Sequence, residues 1–355
     1  MTVFDSDEPE TETNATSVQS ADEVFVARAR QPLAEPTEAG CGSAFADDVL
    51  AGLGTARRAI PAKYFYDEAG SELFEQITRL DAYYPTRTER GILEANADAL
   101  VDAIGKNAAL VEYGSGSSDK TRILLDALHA QRQLAAYVPI DISEDFLLAT
   151  AERLRQSYPG LPILPVAADY TEPYALPPLP PETSRVVVFF PGSTIGNFSH
   201  DEARRFLAHV ARVLGDDGAL LIGVDQWKDE AVLRRAYDDE AGVTAAFNLN
   251  LLGRINRELG GDADLSAWAH EVRLSHDSRR VEMHLRSLRA QTLHVCGRAF
   301  AFETGETIHS EDSHKYDADG FAALAASAGL ERQRRWTDAR GWFAVELYAK
   351  AGDEG

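Results

Sequence analysis

The sequence has few cysteines and no long apolar run, and these absences exclude several classes of protein. Cys41 and Cys296 are its two cysteines in 355 residues, and they lie in distant parts of the chain. They form no CxxC metal or redox pair and are too few for a disulfide framework. Since no apolar segment approaches the ~18–20 residues that cross a bilayer, a membrane protein is not expected.

Basic residues are also scarce. The chain carries 35 Lys and Arg against 57 Asp and Glu, a net charge of −22. This charge repels a phosphate backbone, and no basic stripe overcomes it locally, so a nucleic-acid partner is not expected. The opening stretch is acidic and lacks the basic start and apolar core of a secretory signal, which predicts a cytoplasmic protein under reducing conditions.

The N-terminal third is predicted to hold an acidic tail followed by helices. Residues 1–45 carry nine acidic side chains against two arginines and little apolar periodicity, which is typical of a disordered segment. From Ile60 to Leu100, apolar side chains at helical spacing predict two helices joined by the DAYYPT turn. Thr86 and Glu89 match a T-x-x-E capping box at the start of the second helix.

From Ala109 the pattern predicts a doubly wound α/β sheet. Short apolar runs such as ALVEY, AAYVPID, RVVVFF and ALLIGVD alternate with amphipathic stretches. Ser199 and Glu202 form an S-x-x-E box before one helix, whereas the proline-rich residues 176–183 predict a loop in place of another.

After Asp225 the alternation ends, and helices followed by strands predict a second, smaller α+β domain inserted at 226–315. We expect residues 46–105 to form the helical N-terminal part of this domain. The sheet domain then comprises 106–225 and 316–355.

The string VEYGSGSSDK contains the strongest local signal for a cofactor. Gly114 and Gly116 follow a strand, and Ser118 is placed to cap the next helix, so backbone N–H groups can approach a ligand. A tight turn without a ligand is the alternative. Asp119 stands where a dinucleotide fingerprint has its third glycine, which disfavours a pyrophosphate cradle and a nicotinamide-dependent oxidoreductase.

Acidic residues end the next two predicted strands. Asp141 is placed to accept from the hydroxyls of a ribose, and Asp169 with Tyr170 to contact an adenine base. Each acidic residue alone is more often a helix cap or a solvated charge. Three such features on successive strand ends together indicate adenosine.

These residues belong to strings that resemble a known family, the bacterial L-histidine Nα-methyltransferases of ergothioneine biosynthesis. The likeness covers about residues 55–350. Five separated strings carry it in the same order: KYFYDEAGSELFEQITRLDAYYPTRTE, EYGSGSSDKTRILLDAL, FFPGSTIGNF, RAYDDEAGVTAAFNLNLL and IHSEDSHKY.

The resemblance implies a Rossmann-like class I methyltransferase fold, S-adenosylmethionine as methyl donor and a free amino acid as substrate. Displacement at the sulfonium methyl requires no metal, and we expect the protein to be a monomer. The resemblance implies these cofactor contacts: Tyr66, Gly114, Lys120, Asp141, Asp169 and Tyr170. It implies these substrate contacts: Tyr83, Asn197, Tyr237, Met283, Glu311 and Ser313. Asn197 and Tyr83 are the predicted catalytic residues, since either can hold the amine lone pair toward the methyl group.

The chemistry of these residue types agrees with the implied roles. Without the resemblance, Lys120 would be interpreted as a solvated surface charge. With it, its ammonium group is placed to pair with the methionyl carboxylate of the cofactor. Glu311 and Ser313, two apart in an extended segment, point to one side and suit the two nitrogens of an imidazole. The alternative interpretation is that Glu311 and Ser313 lie on an exposed polar edge of a strand and bind no ligand. Asp312 and His314 depart from the family pattern, and an inward turn of either would alter substrate preference.

Two other functions compete with histidine methylation. A methyltransferase for tryptophan or tyrosine uses the same scaffold, but Glu311 would then face an apolar ring without a partner. A ligand-binding or regulatory protein that keeps the cofactor fold is the non-catalytic alternative. Methyl transfer to a panel of amino acids separates all of these.

Overall fold

The computed structural model of the chain describes residues 41–116 and 119–352. The helices in these ranges are α1 (Ala44–Leu53), α2 (Glu68–Arg79), α3 (Tyr84–Ala95), α4 (Ala97–Ile104), α5 (Asp119–Ala130), α6 (Glu144–Ser157), α7 (His200–Val213), α8 (Glu230–Tyr237), α9 (Val243–Leu259) and α10 (Ala318–Ala326). The strands are β1 (Ala108–Tyr113), β2 (Leu134–Asp141), β3 (Val166–Ala167), β4 (Arg185–Phe190), β5 (Ala219–Asp225), β6 (Trp268–Ser275), β7 (Arg280–Ser287), β8 (Gln291–Val295), β9 (Arg298–Phe302), β10 (Thr307–His314), β11 (Leu330–Thr337) and β12 (Phe343–Lys350). The predicted tail up to residue 40 and the predicted cap Ser118 lie outside the described residues.

A seven-stranded sheet forms the larger layer, in the order β11-β12-β5-β4-β1-β2-β3. Strands β1 to β5 run parallel, whereas β12 pairs antiparallel with β5 and β11 with β12. Every residue of β1 and β5 is buried, as expected for parallel strands covered on both faces. This topology confirms the predicted doubly wound α/β sheet and brings the carboxyl ends of β1 to β5 to one edge.

The crossovers of this sheet follow the local signals in the sequence. Helices α5, α6 and α7 provide three of them, and the Ser199–Glu202 capping box at the start of α7 is present. Residues 168–184, which include the proline-rich stretch, form no helix, so the predicted loop is confirmed. Proline lacks the N–H and clashes with the preceding turn, which excludes a crossover helix here.

A second apolar cluster holds the smaller layer together. The antiparallel sheet β10-β7-β6 and the hairpin β8-β9 pack with α1, α2, α8 and α9. Large buried members such as Phe65, Phe247 and Ile308 come from all parts of this layer. The predicted change of architecture after Asp225 is therefore present, while the boundaries of the two domains remain a prediction.

Helices α3 and α4 pack on the large sheet, although the prediction groups them with the second domain. Their apolar residues Ile92, Leu93, Leu100 and Val101 share a cluster with β1, α5 and β12. Hydrophobic spacing predicts that a helix has a buried face but does not identify which neighbour covers it.

The predicted capping box at Thr86 and Glu89 is wrong. Helix α3 starts at Tyr84 with Tyr83 as N-cap, so Thr86 already lies inside the first turn. Glu89 is fully buried and accepts hydrogen bonds from the backbone N–H of Gly192, at 2.9 and 3.0 Å. The glutamate therefore contacts a distant loop and does not cap its own helix.

The two cysteines form a disulfide, which corrects the expectation of a chain without disulfides under reducing conditions. Cys41, just before α1, is bonded to Cys296 at the turn of the β8-β9 hairpin, 255 residues away in sequence. No spacing rule identifies a pair this distant, because only the fold brings the two residues together. Among the described helices, none combines the length and apolarity needed to cross a membrane.

Candidate active site

The glycine turn after β1 lies at the carboxyl edge of the parallel strands. Gly114 and Gly116 have φ angles of +66° and +47°, a region that favours glycine. The Asp141 carboxylate, at the end of β2, accepts from the N–H of Gly116 at 3.2 Å and of Ser143 at 3.0 Å. Burial raises the pKa of Asp141, and the backbone donors oppose that effect. Asp141 therefore joins the glycine turn to the next strand end.

Tyr170 covers this turn from the third strand. Its ring stacks parallel to that of Tyr113, with centroids 5.2 Å apart. A Cβ added to Gly114 would lie 3.8 Å from Cε1 of Tyr170, which is van der Waals contact. A side chain larger than that of glycine would therefore occupy the space between the turn and the ring. The neighbouring Asp169 carboxylate accepts from the N–H and hydroxyl of Thr171. The three predicted strand-end features are thus brought to one place.

Lys120 connects this edge to a second loop. Its Nζ lies 2.7 Å from Oε2 of the buried Glu89, and its side chain is 22% exposed. The same Nζ is 3.3 Å from the position of a Cβ added to Gly192. Because Glu89 also accepts from the Gly192 N–H, one carboxylate links α3, α5 and the loop after β4.

A cavity adjoins this loop, between the carboxyl edge of the large sheet and the smaller layer. Gly192, Ser193 and Thr194 line it from the loop after β4. The lining includes every predicted substrate contact and one predicted cofactor contact: Tyr66, Tyr83, Asn197, Tyr237, Met283, Glu311 and Ser313. The remaining predicted cofactor contacts lie outside this lining: Gly114, Lys120, Asp141, Asp169 and Tyr170. Of these, Lys120 reaches the lining residue Gly192.

Strand β10 brings Glu311 and Ser313 to the same side of the cavity, as their spacing predicts. The Asn197 amide donates to Oε1 of Glu311 at 3.0 Å, and the Tyr237 and Ser313 hydroxyls lie 2.8 Å apart. Met283 is the β7 neighbour of Glu311. Burial raises the pKa of Glu311 to about 7, against the opposing effects of Lys315 and Asn197. The glutamate is therefore half-buried, lines the cavity and has one direct hydrogen-bond donor among the described residues.

Asp312 and His314 do not line the cavity. Asp312 pairs with His309 at 3.1 Å and with Arg280 at 3.2 Å. The His314 Nδ1 lies 3.3 Å from the carbonyl oxygen of Ser278. Both residues point away from the cavity because side chains alternate along a strand. The inward turn considered from the sequence is absent.

Aromatic side chains form the opposite wall. Tyr83 and Tyr237 meet edge to face, with centroids 6.3 Å apart, and Tyr66 makes similar contacts with Phe74 and Phe247. Burial raises the pKa of all three tyrosines well above the ordinary value. The phenols therefore stay neutral and remain available as hydrogen-bond donors.

A buried charge cluster at the wall of the cavity was not predicted from the sequence. Asp225 ends β5 and contacts Lys315 at 2.8 Å, Lys228, and the Tyr84 hydroxyl at 2.7 Å. Burial alone would raise the pKa of Asp225, but the ammonium groups of Lys315 and Lys228 outweigh burial and hold the pKa below its usual value. In the sequence, the position of Asp225 at the end of a predicted strand indicates this cluster. No sequence pattern indicates that Lys315 is buried, since lysine is normally exposed.

The chemistry of the glycine-turn edge fits S-adenosylmethionine. A turn with two glycines, a carboxylate on the neighbouring strand end and an aromatic ring on the next one suit an adenosine, and Lys120 suits a carboxylate. Within residues 41–116 and 119–352, no group of three or more His, Cys, Asp or Glu residues is arranged to bind a metal ion.

Comparison with known proteins adds an independent line of evidence. A family model described as "Histidine-specific methyltransferase, SAM-dependent" matches residues 45–350. Histidine N-alpha-methyltransferases of Mycolicibacterium smegmatis and Mycobacterium tuberculosis are each 43% identical to this chain. These alignments cover 84% and 85% of this chain, and 93% and 94% of the relatives. Ergothioneine biosynthesis protein 1 of Neurospora crassa is 30% identical over 83% of this chain and 33% of its own length.

Proposed function

The chain belongs to the histidine-specific, SAM-dependent methyltransferases, and from that premise we propose that it methylates the α-amino nitrogen of L-histidine. Transfer from S-adenosylmethionine in three rounds gives the trimethyl betaine hercynine, the first step of ergothioneine biosynthesis. The observation that carries this proposal is the half-buried carboxylate of Glu311, which lines a cavity next to the loop after β4. An imidazole N–H needs an acceptor once water is excluded, and this carboxylate supplies one.

Six residues are proposed to hold the cofactor: Tyr66, Gly114, Lys120, Asp141, Asp169 and Tyr170. Asp141 is positioned for the ribose hydroxyls, and Lys120 for the methionyl carboxylate. Tyr170 and Asp169 are assigned to the adenine base. When bound, the cofactor supplies an electrophilic methyl group on sulfonium sulfur. No covalent enzyme intermediate is needed, so the protein contributes positioning and exclusion of water.

The substrate is proposed to span the cavity from Tyr237 to Glu311. Tyr237 and Asn197 offer donors to the α-carboxylate, while Glu311 and Ser313 bind the imidazole. Met283 forms an apolar wall beside the ring. Asn197 and Tyr83 are the proposed catalytic residues, because each can hold the amine with its lone pair toward the methyl group. Bulk water takes the proton that the amine must lose before each transfer.

Glu311 favours histidine over tryptophan or tyrosine as substrate. A phenyl or indole carbon edge facing this carboxylate would leave Glu311 with the Asn197 amide as its one donor, and the hydrogen bond lost to a charged acceptor costs about 1–3 kcal/mol or more. A site that hydrogen-bonds a substrate group rejects analogues lacking that group strongly. The polarity of the cavity therefore favours histidine.

The direct experiment is methyl transfer from labelled S-adenosylmethionine to a panel of free amino acids. We expect label in histidine, with mass spectrometry of the product counting the methyl groups. Label in tryptophan or tyrosine but not in histidine would support the alternative. Binding of adenosylhomocysteine without transfer to any amino acid would indicate a ligand-binding protein.

We further propose a monomeric, cytoplasmic enzyme that acts without nucleic acid or a membrane. The net charge of −22 disfavours contact with phosphate backbones. Sedimentation of the purified protein tests the oligomeric state, with a monomer near 38.8 kDa expected.

A further inference from the structure

A fully buried lysine connects two of the hydroxyl groups that line the cavity, those of Tyr237 and Ser313. Lys315 directly follows β10, and its side chain has no exposed surface. Its ammonium has three N–H donors. Three oxygens lie within reach: Oδ2 of Asp225 at 2.8 Å, Oη of Tyr237 at 2.7 Å and Oγ of Ser313 at 2.8 Å. All three donors are therefore used within the protein.

The lysine fixes the direction of these hydrogen bonds, because an ammonium group donates and cannot accept. Tyr237 and Ser313 must therefore both accept from Lys315. Their hydroxyls also lie 2.8 Å from each other, so one donates to the other and uses one of the two hydroxyl protons. A single O–H proton is left to face the cavity.

The charge of the surrounding groups agrees with an anionic ligand group near Tyr237. Two ammonium groups, from Lys315 and Lys228, flank the single carboxylate of Asp225. Glu311 is the other carboxylate in the cavity lining, and it lies toward Asn197. An incoming carboxylate that accepts the free hydroxyl proton would therefore lie next to the Lys315 ammonium, which is 2.7 Å from the Tyr237 hydroxyl.

We infer that Lys315 is a positioning residue that makes the site specific for amino acids with a free α-carboxylate. It orients the Tyr237 and Ser313 hydroxyls so that their one available proton is donated to that carboxylate. Amines that carry the same imidazole without a carboxylate, such as histamine, gain nothing from this arrangement. The inference rests on the proposed function, since it assigns the source of discrimination within the same site.

The test compares Lys315→Met with the matched control Lys228→Met in the full chain. Both variants remove one ammonium group from Asp225, but Lys228 donates to the Tyr84 hydroxyl and does not touch Tyr237 or Ser313. Three quantities are measured: KM and kcat for histidine, the dissociation constant of histamine, and that of adenosylhomocysteine.

We expect Lys315→Met to raise the histidine KM by about 10- to 100-fold, as for the loss of a charge-assisted hydrogen-bond arrangement. Its kcat should change less than its KM, and its affinities for histamine and adenosylhomocysteine should stay within about threefold of the wild type. Lys228→Met should leave the histidine KM within about threefold. If Lys315→Met lacks a cooperative melting transition, Lys315→Gln, which retains two amide donors, is judged by the same criteria.

Equal effects of the two lysine variants would overturn the inference, because charge alone would then explain them. A parallel loss of histidine and histamine binding in Lys315→Met would overturn it as well. Failure of the wild-type protein to methylate histidine while it binds adenosylhomocysteine would instead refute the proposed function. The two failures are therefore distinguishable.

Discussion

Asp141 shows how one side chain can serve both the fold and the cofactor. Its carboxylate accepts from the N–H groups of Gly116 and Ser143, and it is proposed to accept from ribose hydroxyls. Asp141→Ala removes an acceptor shared by the glycine turn and the ligand. We expect adenosylhomocysteine binding to weaken by about 2–4 kcal/mol in calorimetry. Asp141→Asn, which keeps one acceptor oxygen, should lose less, and unchanged affinity in both variants would remove Asp141 from the site.

Glu311 gives a prediction about pH. Its pKa in the folded protein is raised to about 7 by burial, above the usual value of 4.5. At a pH between these two pKa values, Glu311 keeps its proton in the folded state and has lost it in the unfolded chain. Glu311 therefore makes the free energy of unfolding fall as the pH rises. Glu311→Gln imitates the protonated form. Relative to the wild type, its unfolding free energy should therefore increase from about pH 5 to pH 7 and level off above.

Chemical denaturation of both proteins across this range measures the difference. The buried Glu112, whose pKa burial also raises to about 7, contributes equally to both proteins and cancels in the comparison. Parallel pH profiles for the variant and the wild type would show that Glu311 keeps its ordinary pKa.

At the scale of elements, the site depends on close contact between the turn that carries Asn197 and strand β10. A Cβ added to Gly196 would lie 2.7 Å from the carbonyl oxygen of His314, closer than real Cβ atoms approach. Gly196→Ala should push Asn197 away from Glu311 and lower kcat/KM for histidine by about 10- to 100-fold. The affinity for adenosylhomocysteine should remain unchanged.

Gly91→Ala is the matched control for this prediction. Gly91 lies within α3, and a Cβ there meets no atom within 4 Å. Alanine favours a helix by about 1 kcal/mol, so this variant should be as stable as the wild type or more so, with full activity. Full activity in Gly196→Ala as well would show that the turn can shift without cost.

The helices, strands and loops also show which features the sequence predicts and which it does not. The strands, the proline-rich loop and the Ser199–Glu202 cap follow from patterns within a few residues, and all are present. Glu89 matches a local capping pattern equally well, yet its partners are Gly192 and Lys120. Such long-range partners leave no mark in spacing. The cavity residues were predicted through resemblance to a family, whereas Lys315 was missed because burial of a lysine has no sequence signal.

For the whole molecule, the disulfide between Cys41 and Cys296 is the feature that composition did not anticipate. It joins the start of α1 to the hairpin β8-β9 across 255 residues. A crosslink over a long loop restricts the unfolded chain and typically contributes about 2–4 kcal/mol. Reduction, or the double variant Cys41→Ser with Cys296→Ser, should therefore lower Tm. Turnover below that temperature should persist, because neither cysteine lines the cavity.

Thiol titration of the native and unfolded protein provides the control. We expect no reactive thiol before reduction and two afterwards. Two free thiols in the native protein, together with an unchanged Tm on reduction, would show that the pair is not bonded.

The proposed methylation of the histidine α-amine depends on binding of the imidazole by Glu311, and the kinetics of Glu311→Ala measure this dependence. We predict that the variant raises the histidine KM by about 100-fold or more and reduces discrimination against tryptophan and phenylalanine, with nearly unchanged affinity for adenosylhomocysteine. Ser313→Ala should act in the same direction but more weakly, since a neutral hydroxyl contributes about 1 kcal/mol. Unaltered histidine kinetics, or loss of cofactor binding, in Glu311→Ala would contradict this account.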